Sequence, residues 1–106
     1  MTVPGKLNRR LVLEAPVDVA DGGGGVTRHY QPVSPVWAQL VPLGALPDVA
    51  AGRLGVVLRW RIVIRARSDV TTHHRLRDGD RTYRVLGAQL SADRRFLAIE
   101  GEEQDV

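Results

Sequence analysis

The sequence predicts a mainly β protein, a small barrel of about six or seven strands with one short helix or long loop insertion. Three observations predict it. Proline and glycine punctuate the chain at short intervals. The stretches between them alternate apolar and polar residues, with no internal repeat. The chain has 106 residues, enough for one domain over 1–106 and one modest core.

The first strand reads as Lys6–Ala15. Leu7, Arg9, Leu11, Leu13 and Ala15 share one face, Asn8, Arg10, Val12 and Glu14 the other, and Pro16 ends it. Asp21 and Gly22, Gly23, Gly24 and Gly25 form a flexible hairpin tip, because glycine reaches positive φ freely. Val26–Gln31 returns as a second strand, with Pro32 and Pro35 at an edge or bend. Val36–Leu43 is a third, with Trp37 as its anchor. Alternation stops between Pro42 and Gly55, where Asp48 can cap a short helix through Val49–Ala51 ended by Gly52, or the segment is a mobile loop.

Val56–Arg67 is the clearest strand. Leu58, Trp60, Ile62, Ile64 and Ala66 line one face; Arg59, Arg61, Val63, Arg65 and Arg67 line the other. Arg75–Arg77 and Arg81–Gly87 flank an Asp78-Gly79-Asp80 turn as a hairpin. Ser91–Arg95 is a polar turn, Phe96–Glu100 the last strand, and Gly101–Val106 an acidic tail expected to fray. Burial logic assigns Trp37, Trp60, Tyr83 and Phe96 to the core or an interface.

Composition narrows the function. The formal charge is +3, from 15 basic and 12 acidic side chains. Glu100, Glu102, Glu103 and Asp105 crowd the end, so the rest carries 15 basic against 8 acidic residues, a net of +7. Lys6 is the only lysine. Arginine suits phosphate and carboxylate partners; a GC-rich genome yields the same bias. With no cysteine there is no disulfide framework and no thiolate chemistry. No apolar run approaches a membrane span, and the N-terminus lacks the apolar region of a signal peptide. The expectation is a soluble protein of a cytoplasm-like compartment, without a membrane partner.

Catalytic constellations are missing. His73 and His74 are adjacent and face opposite ways on a strand, unlike an i, i+4 zinc pair. Asp78 and Asp80 neighbour Arg77 and Arg81 and read as turn residues. Ser34, Ser68 and Ser91 sit in turn-like contexts, none in a nucleophile elbow. The glycine run lacks the Lys-Ser/Thr ending of a phosphate loop. The expectation is no enzyme, no metal and no cofactor. Arg59, Arg61, Arg65 and Arg67 form a stripe that can meet DNA, a neighbouring subunit or only solvent; aromatic residues that would stack single-stranded bases are missing from its face.

Several motifs, in order, carry a resemblance. They are Gly5-Lys6-Leu7-Asn8-Arg9-Arg10-Leu11, the glycine turn after Asp21, and Val36-Trp37-Ala38-Gln39-Leu40-Val41-Pro42-Leu43-Gly44. Arg61-Ile62-Val63-Ile64-Arg65-Ala66-Arg67-Ser68-Asp69-Val70 and the Gly79-Asp80-Arg81-Thr82-Tyr83-Arg84-Val85 hairpin follow. In this order the chain resembles the small head–tail joining (connector or stopper) proteins of long-tailed phages and gene transfer agents, over Gly5 to about Glu102. One departure is Ala45-Leu46-Pro47-Asp48, where such proteins carry a Glu-containing, helix-favouring stretch.

The resemblance implies a virion neck subunit made in a bacterial cytoplasm. It implies a dodecameric ring below the portal and its adaptor, around non-specific double-stranded DNA, with a tail terminator or tail tube protein on the opposite rim. A loop of such proteins gates the channel. Pro42, Leu43, Gly44, Asp48, Gly52, Arg53 and Gly55 are the first candidates for that gate. Asp21 and Gly22–Gly25 are the second, or an adaptor-docking loop. The alternatives are a stand-alone nucleic-acid-binding barrel and another connector role, adaptor or terminator.

Overall fold

The computed structural model describes residues 7–48 and 55–104. Its strands are β1 (Arg9–Ala20), β2 (Val26–Asp48), β3 (Gly55–Arg65), β4 (Arg75–Asp78), β5 (Arg81–Leu90) and β6 (Phe96–Gln104). Every pairing is antiparallel, and the sheet closes on itself in the order β1-β2-β3-β6-β5-β4. The predicted β-barrel is therefore what the chain forms, and closure removes most of the exposed strand edges that invite aggregation.

Strand alternation fills the barrel. Leu11 and Leu13 on β1, Val36 and Ala38 on β2, and Ile62 and Ile64 on β3 point inward and are buried. Leu76 on β4, Tyr83 and Val85 on β5, and Leu97 and Ile99 on β6 meet them. The β3–β4 connection drops Val70 against this core. Gly101 stands inside the barrel because nothing larger fits: a Cβ there would lie 2.9 Å from Ile62 Cδ1 and 3.3 Å from Tyr83 Cβ.

The strands are longer than the sequence suggests. β1 does not end at Pro16; it continues to Ala20, with Pro16 opposite Tyr30. The expected second and third strands are one, since β2 passes through Pro32 and Pro35 unbroken. Beyond Glu14, β1 pairs only with β2, and before Ala38, β2 pairs only with β1, so these prolines lie where no further ladder claims an N–H. The strand does not stop at Pro42 either. β2 runs on to Asp48 against β3, with a register shift between Pro42 and Gly44. The expected helix over Val49–Gly52 lies outside the described residues. The acidic end does not fray at Gly101; β6 runs to Gln104 between β3 and β5.

Strand direction sorts the connections to two ends. The β1–β2 tip, the β3–β4 connection and the Ser91–Arg95 turn lie at one end. The β2–β3 hairpin and the two-residue Gly79-Asp80 turn lie at the other. Gly79 has φ 60°, as a first-position glycine of a tight hairpin requires. The molecule measures 49 × 32 × 24 Å, elongated because β2 outruns the barrel both ways.

Candidate functional site

Two hairpin arms and the outer barrel wall hold the sequence-predicted residues. The first arm is Ala15–Ala20 against Val26–Gln31. Asp18 and Arg28, directly opposite, form an ion pair at 2.9 Å. At the tip, Asp21 Oδ1 accepts the backbone N–H groups of Gly23 (2.8 Å) and Gly25 (3.1 Å), with Gly22 and Gly24 at positive φ. The glycine run is thus a carboxylate-organised turn. Those two donors, Gly23 first, hold the Asp21 carboxyl below its ordinary value. A depressed native value means the ordering is complete above the unfolded pKa and is lost as pH falls through the native one. The Gly23 and Gly25 amide proton shifts are therefore expected to titrate together, with a midpoint below the usual aspartate value of about 3.9. Asp21→Asn abolishes that titration in the same NMR experiment.

The second arm carries the first candidate gate residues. Gly44–Asp48 pair with Arg59–Gly55, while β6 reaches β3 only from Arg59 onward. The ribbon therefore projects past the barrel. Leu43 is the extra residue of a bulge, and Gly44 beside it has φ 104°, a conformation that strains any side chain. Pro42, Leu43, Gly44, Asp48 and Gly55 thus belong to a β-ribbon and not to an irregular loop. Gly52 and Arg53 lie outside the described residues.

The arginine stripe is not a bare cationic row. β6 pairs with β3 so that Glu102 stands opposite Arg59 and Glu100 opposite Arg61. Glu14, Arg75, Arg84, Glu102 and Arg59 sit side by side on five successive strands, a charged belt around the outer wall. Its contacts include Glu14–Arg75 at 2.6 Å, Arg84–Glu102 at 3.6 Å and Arg59–Glu100 at 3.8 Å. Val63 interrupts the stripe, buried beneath Leu7 and Phe96 in a second small cluster. Arg67 lies beyond β3 and is held by Asp69 at 2.6 Å. Arg61 and Arg65 are exposed and make no ion pair among the described residues. The acidic tail and the basic body, separate features in the linear sequence, are strand neighbours.

The four aromatic anchors have different places. Tyr83 is buried in the barrel and meets Trp60 edge to face, centroids 6.2 Å apart. Burial first, then the charge of Glu103, raises the Tyr83 phenol pKa. Trp60 is half-buried and donates through Nε1 to Glu103 at 3.0 Å. Phe96 belongs to the outer cluster rather than the main core. Trp37 is not a core residue: 57% of it is exposed, because Val36 and Ala38 take the inward positions on either side.

Sequence reasoning missed the most buried charge. Glu14 is only 2% exposed and is gripped by Arg75 and by Arg77 at 3.4 Å. The Arg75 guanidinium also stacks 4.0 Å above the Tyr30 ring centroid. A register shift between Leu13 and Glu14 sets this cluster where the first arm leaves the barrel. His74 acts locally. Its ring Nδ1 lies 2.9 Å from Thr71 Oγ1 and 3.2 Å from Thr71 N, inside the turn that leads into β4.

The described residues thus form a closed barrel with two projecting ribbons and a wall of paired charges, and hold no cluster of His, Asp or Glu fit for a metal ion. The profile of the phage head completion proteins matches residues 3–104, and the chain belongs to that family, whose role in the particle is structural rather than enzymatic. A chain from the virion of a native gene transfer agent particle is similar in structure, with a TM-score of 0.77 and 27% identity. The similarity covers 93% of this chain and 96% of that one. No curated protein matches the chain.

Proposed function

We propose that this chain is a stopper-type head–tail connector subunit, forming a dodecameric ring below the portal and its adaptor. The observation that carries the reading is the near end-to-end similarity to a chain of a gene transfer agent virion, within the head completion family. The architecture supports it. One strand, β2, builds an arm at each end of the barrel, so a subunit can reach the lumen with one and an axial neighbour with the other. The β2–β3 ribbon is the gate, pivoting at Gly44. The Asp21–Gly25 tip docks to the adaptor, and the opposite rim receives a tail terminator or tail tube protein. The subunit is made in the host cytoplasm and ends in the virion neck.

Duplex DNA in the channel must slide, which suits weak contacts. The neutralisation of Arg59 by Glu100 and Glu102 fits that need and disfavours a stand-alone nucleic-acid-binding barrel. The test is electron microscopy of particles assembled with and without the gene. Its loss is expected to give DNA-filled heads without tails, or heads that have lost their DNA. A variant with residues 45–54 replaced by a two-residue turn is expected to join the neck yet leak DNA. Normal tailed particles without the gene would overturn the connector reading.

A further inference from the structure

The outer wall carries two features that the connector reading leaves unused. On β2, Trp37 stands exposed opposite Arg10 of β1, with Arg65 at the adjoining end of β3. Arg10 and Arg65 are exposed and make no ion pair among the described residues. Pro35, Ala66 and Arg67 border the same spot. An exposed tryptophan flanked by arginines has the composition of an interface hot spot rather than of ordinary surface.

The second feature lies further round the wall. An open groove runs over β6 and β5, floored by Gly87, Ala88 and Ala98 and walled by Leu43, Gln89 and Glu100. Its floor residues are small, which leaves open space above them. A Cβ at Gly87 would meet nothing within 4 Å. The Glu100 side chain is 49% exposed, and its contact with Arg59 is long, at 3.8 Å. Arg61 also borders the groove, where a guanidinium can lie over an aromatic face.

A ring of identical subunits needs a heterologous interface, one patch of each copy meeting a different patch of the next. The two patches offer matching chemistry: a cation-flanked indole, and a small-residue groove bordered by the half-exposed Glu100 carboxylate, held only by its long contact with Arg59. Trp37 stands on β2 and the floor of the groove lies on β5 and β6, so both can be engaged at once. We infer that Trp37 of one copy seats in the Gly87–Ala88–Ala98 groove of the next, with Arg10 and Arg65 facing Glu100. This rests on the ring reading and names the surface that closes it.

The chain has no cysteine, so engineered thiols report the contact cleanly. Gln39 lies two residues beyond Trp37 on the same face, and Gln89 walls the groove. Particles carrying Gln39→Cys together with Gln89→Cys are expected to give a ladder of disulfide-linked multimers on oxidation, and neither single variant gives one. Trp37→Ala is expected to keep the circular dichroism of the folded barrel, since the side chain is exposed. It is expected to lower incorporation into particles about tenfold, as loss of a hot-spot residue does. Chain present in particles but unlinked in the double variant would overturn the inference while leaving the connector role intact. Cross-linking of the Gln39→Cys variant to another neck protein would overturn it in favour of a foreign partner. Absence of the unaltered chain from particles would remove both readings.

Discussion

Leu76→Ala is expected to lower the free energy of unfolding by about 2–5 kcal/mol, the range for deleting a buried leucine side chain. Leu76 is fully buried, faces Leu13 across one ladder and Tyr83 across the other, and sits on the shortest strand of the barrel. β4 meets β1 at only three positions, Val12–Glu14, and these pairings close the sheet. Few backbone bonds hold that seam, so the side chain in its middle carries an unusual share of it. Against a total of about 5–15 kcal/mol for a domain, the loss is large. Urea unfolding followed by circular dichroism measures it. A loss below about 1 kcal/mol would mean that the seam is held by something other than this packing. Leu90→Ala, at a residue 45% exposed at the end of β5, provides the contrast and is expected to cost much less.

The same seam shows what the sequence made legible. Alternation in Leu11/Leu13 and Ile62/Ile64 identified the inward positions correctly, because a two-residue period needs no knowledge of partners. The Asp78-Gly79-Asp80 turn was equally plain, since its chemistry is local. Three things were not legible. Pro16 reads as a strand end and Pro32 and Pro35 as an edge or bend; all three lie within strands at a free edge, and how far a strand runs past such an edge depends on pairing. Trp37 read as an anchor by its size, although parity with Val36 and Ala38 turns it outward. The tail reads as acidic and loose because what holds it is non-local: Arg84 of β5 pairs with Glu102, and Trp60 of β3 donates to Glu103.

The belt of charge is the feature that only topology creates. Closing the barrel places β6 between β3 and β5, and this sets Glu102 between Arg59 and Arg84, and Glu100 beside Arg61 of β3. Cross-strand pairs of opposite charge contribute roughly 0.2–1 kcal/mol each, and exposed ones fall at the low end. The larger consequence is functional. A wall of mixed charge offers specific, salt-sensitive contacts to another protein and only a weak grip on a polyanion. Candidate gate residues and candidate anchors therefore sort by place: the described gate residues lie on or beside a projecting ribbon, and Trp37 stands on the outer wall.

Arg75→Met is expected to destabilise the protein by about 3 kcal/mol, because it leaves Glu14 buried with one remaining cation. Glu14 is 2% exposed, and its 2.6 Å contact with Arg75 Nε is the shorter of its two ion pairs. Arg77 is half exposed and 3.4 Å away, a poorer substitute. The substitution also removes the cation above Tyr30, where the first arm meets the barrel. The damage should reach that arm: amide exchange at Val17–Ala20 and Thr27–Tyr30 is expected to rise more than at Ile62 or Ile99. Glu14→Leu combined with Arg75→Met tests the cause. If the cost of the single change is an unpaired buried carboxylate, the double variant recovers most of the lost stability, since an apolar pair of similar volume needs no compensation. A double variant no more stable than Arg75→Met alone would show that the cost lies in the lost packing of Arg75 over Tyr30 and not in the unpaired carboxylate. Either way the arm's orientation is set at this junction, some distance from the Asp21–Gly25 tip that would dock, so a change there can impair docking without touching the docking surface.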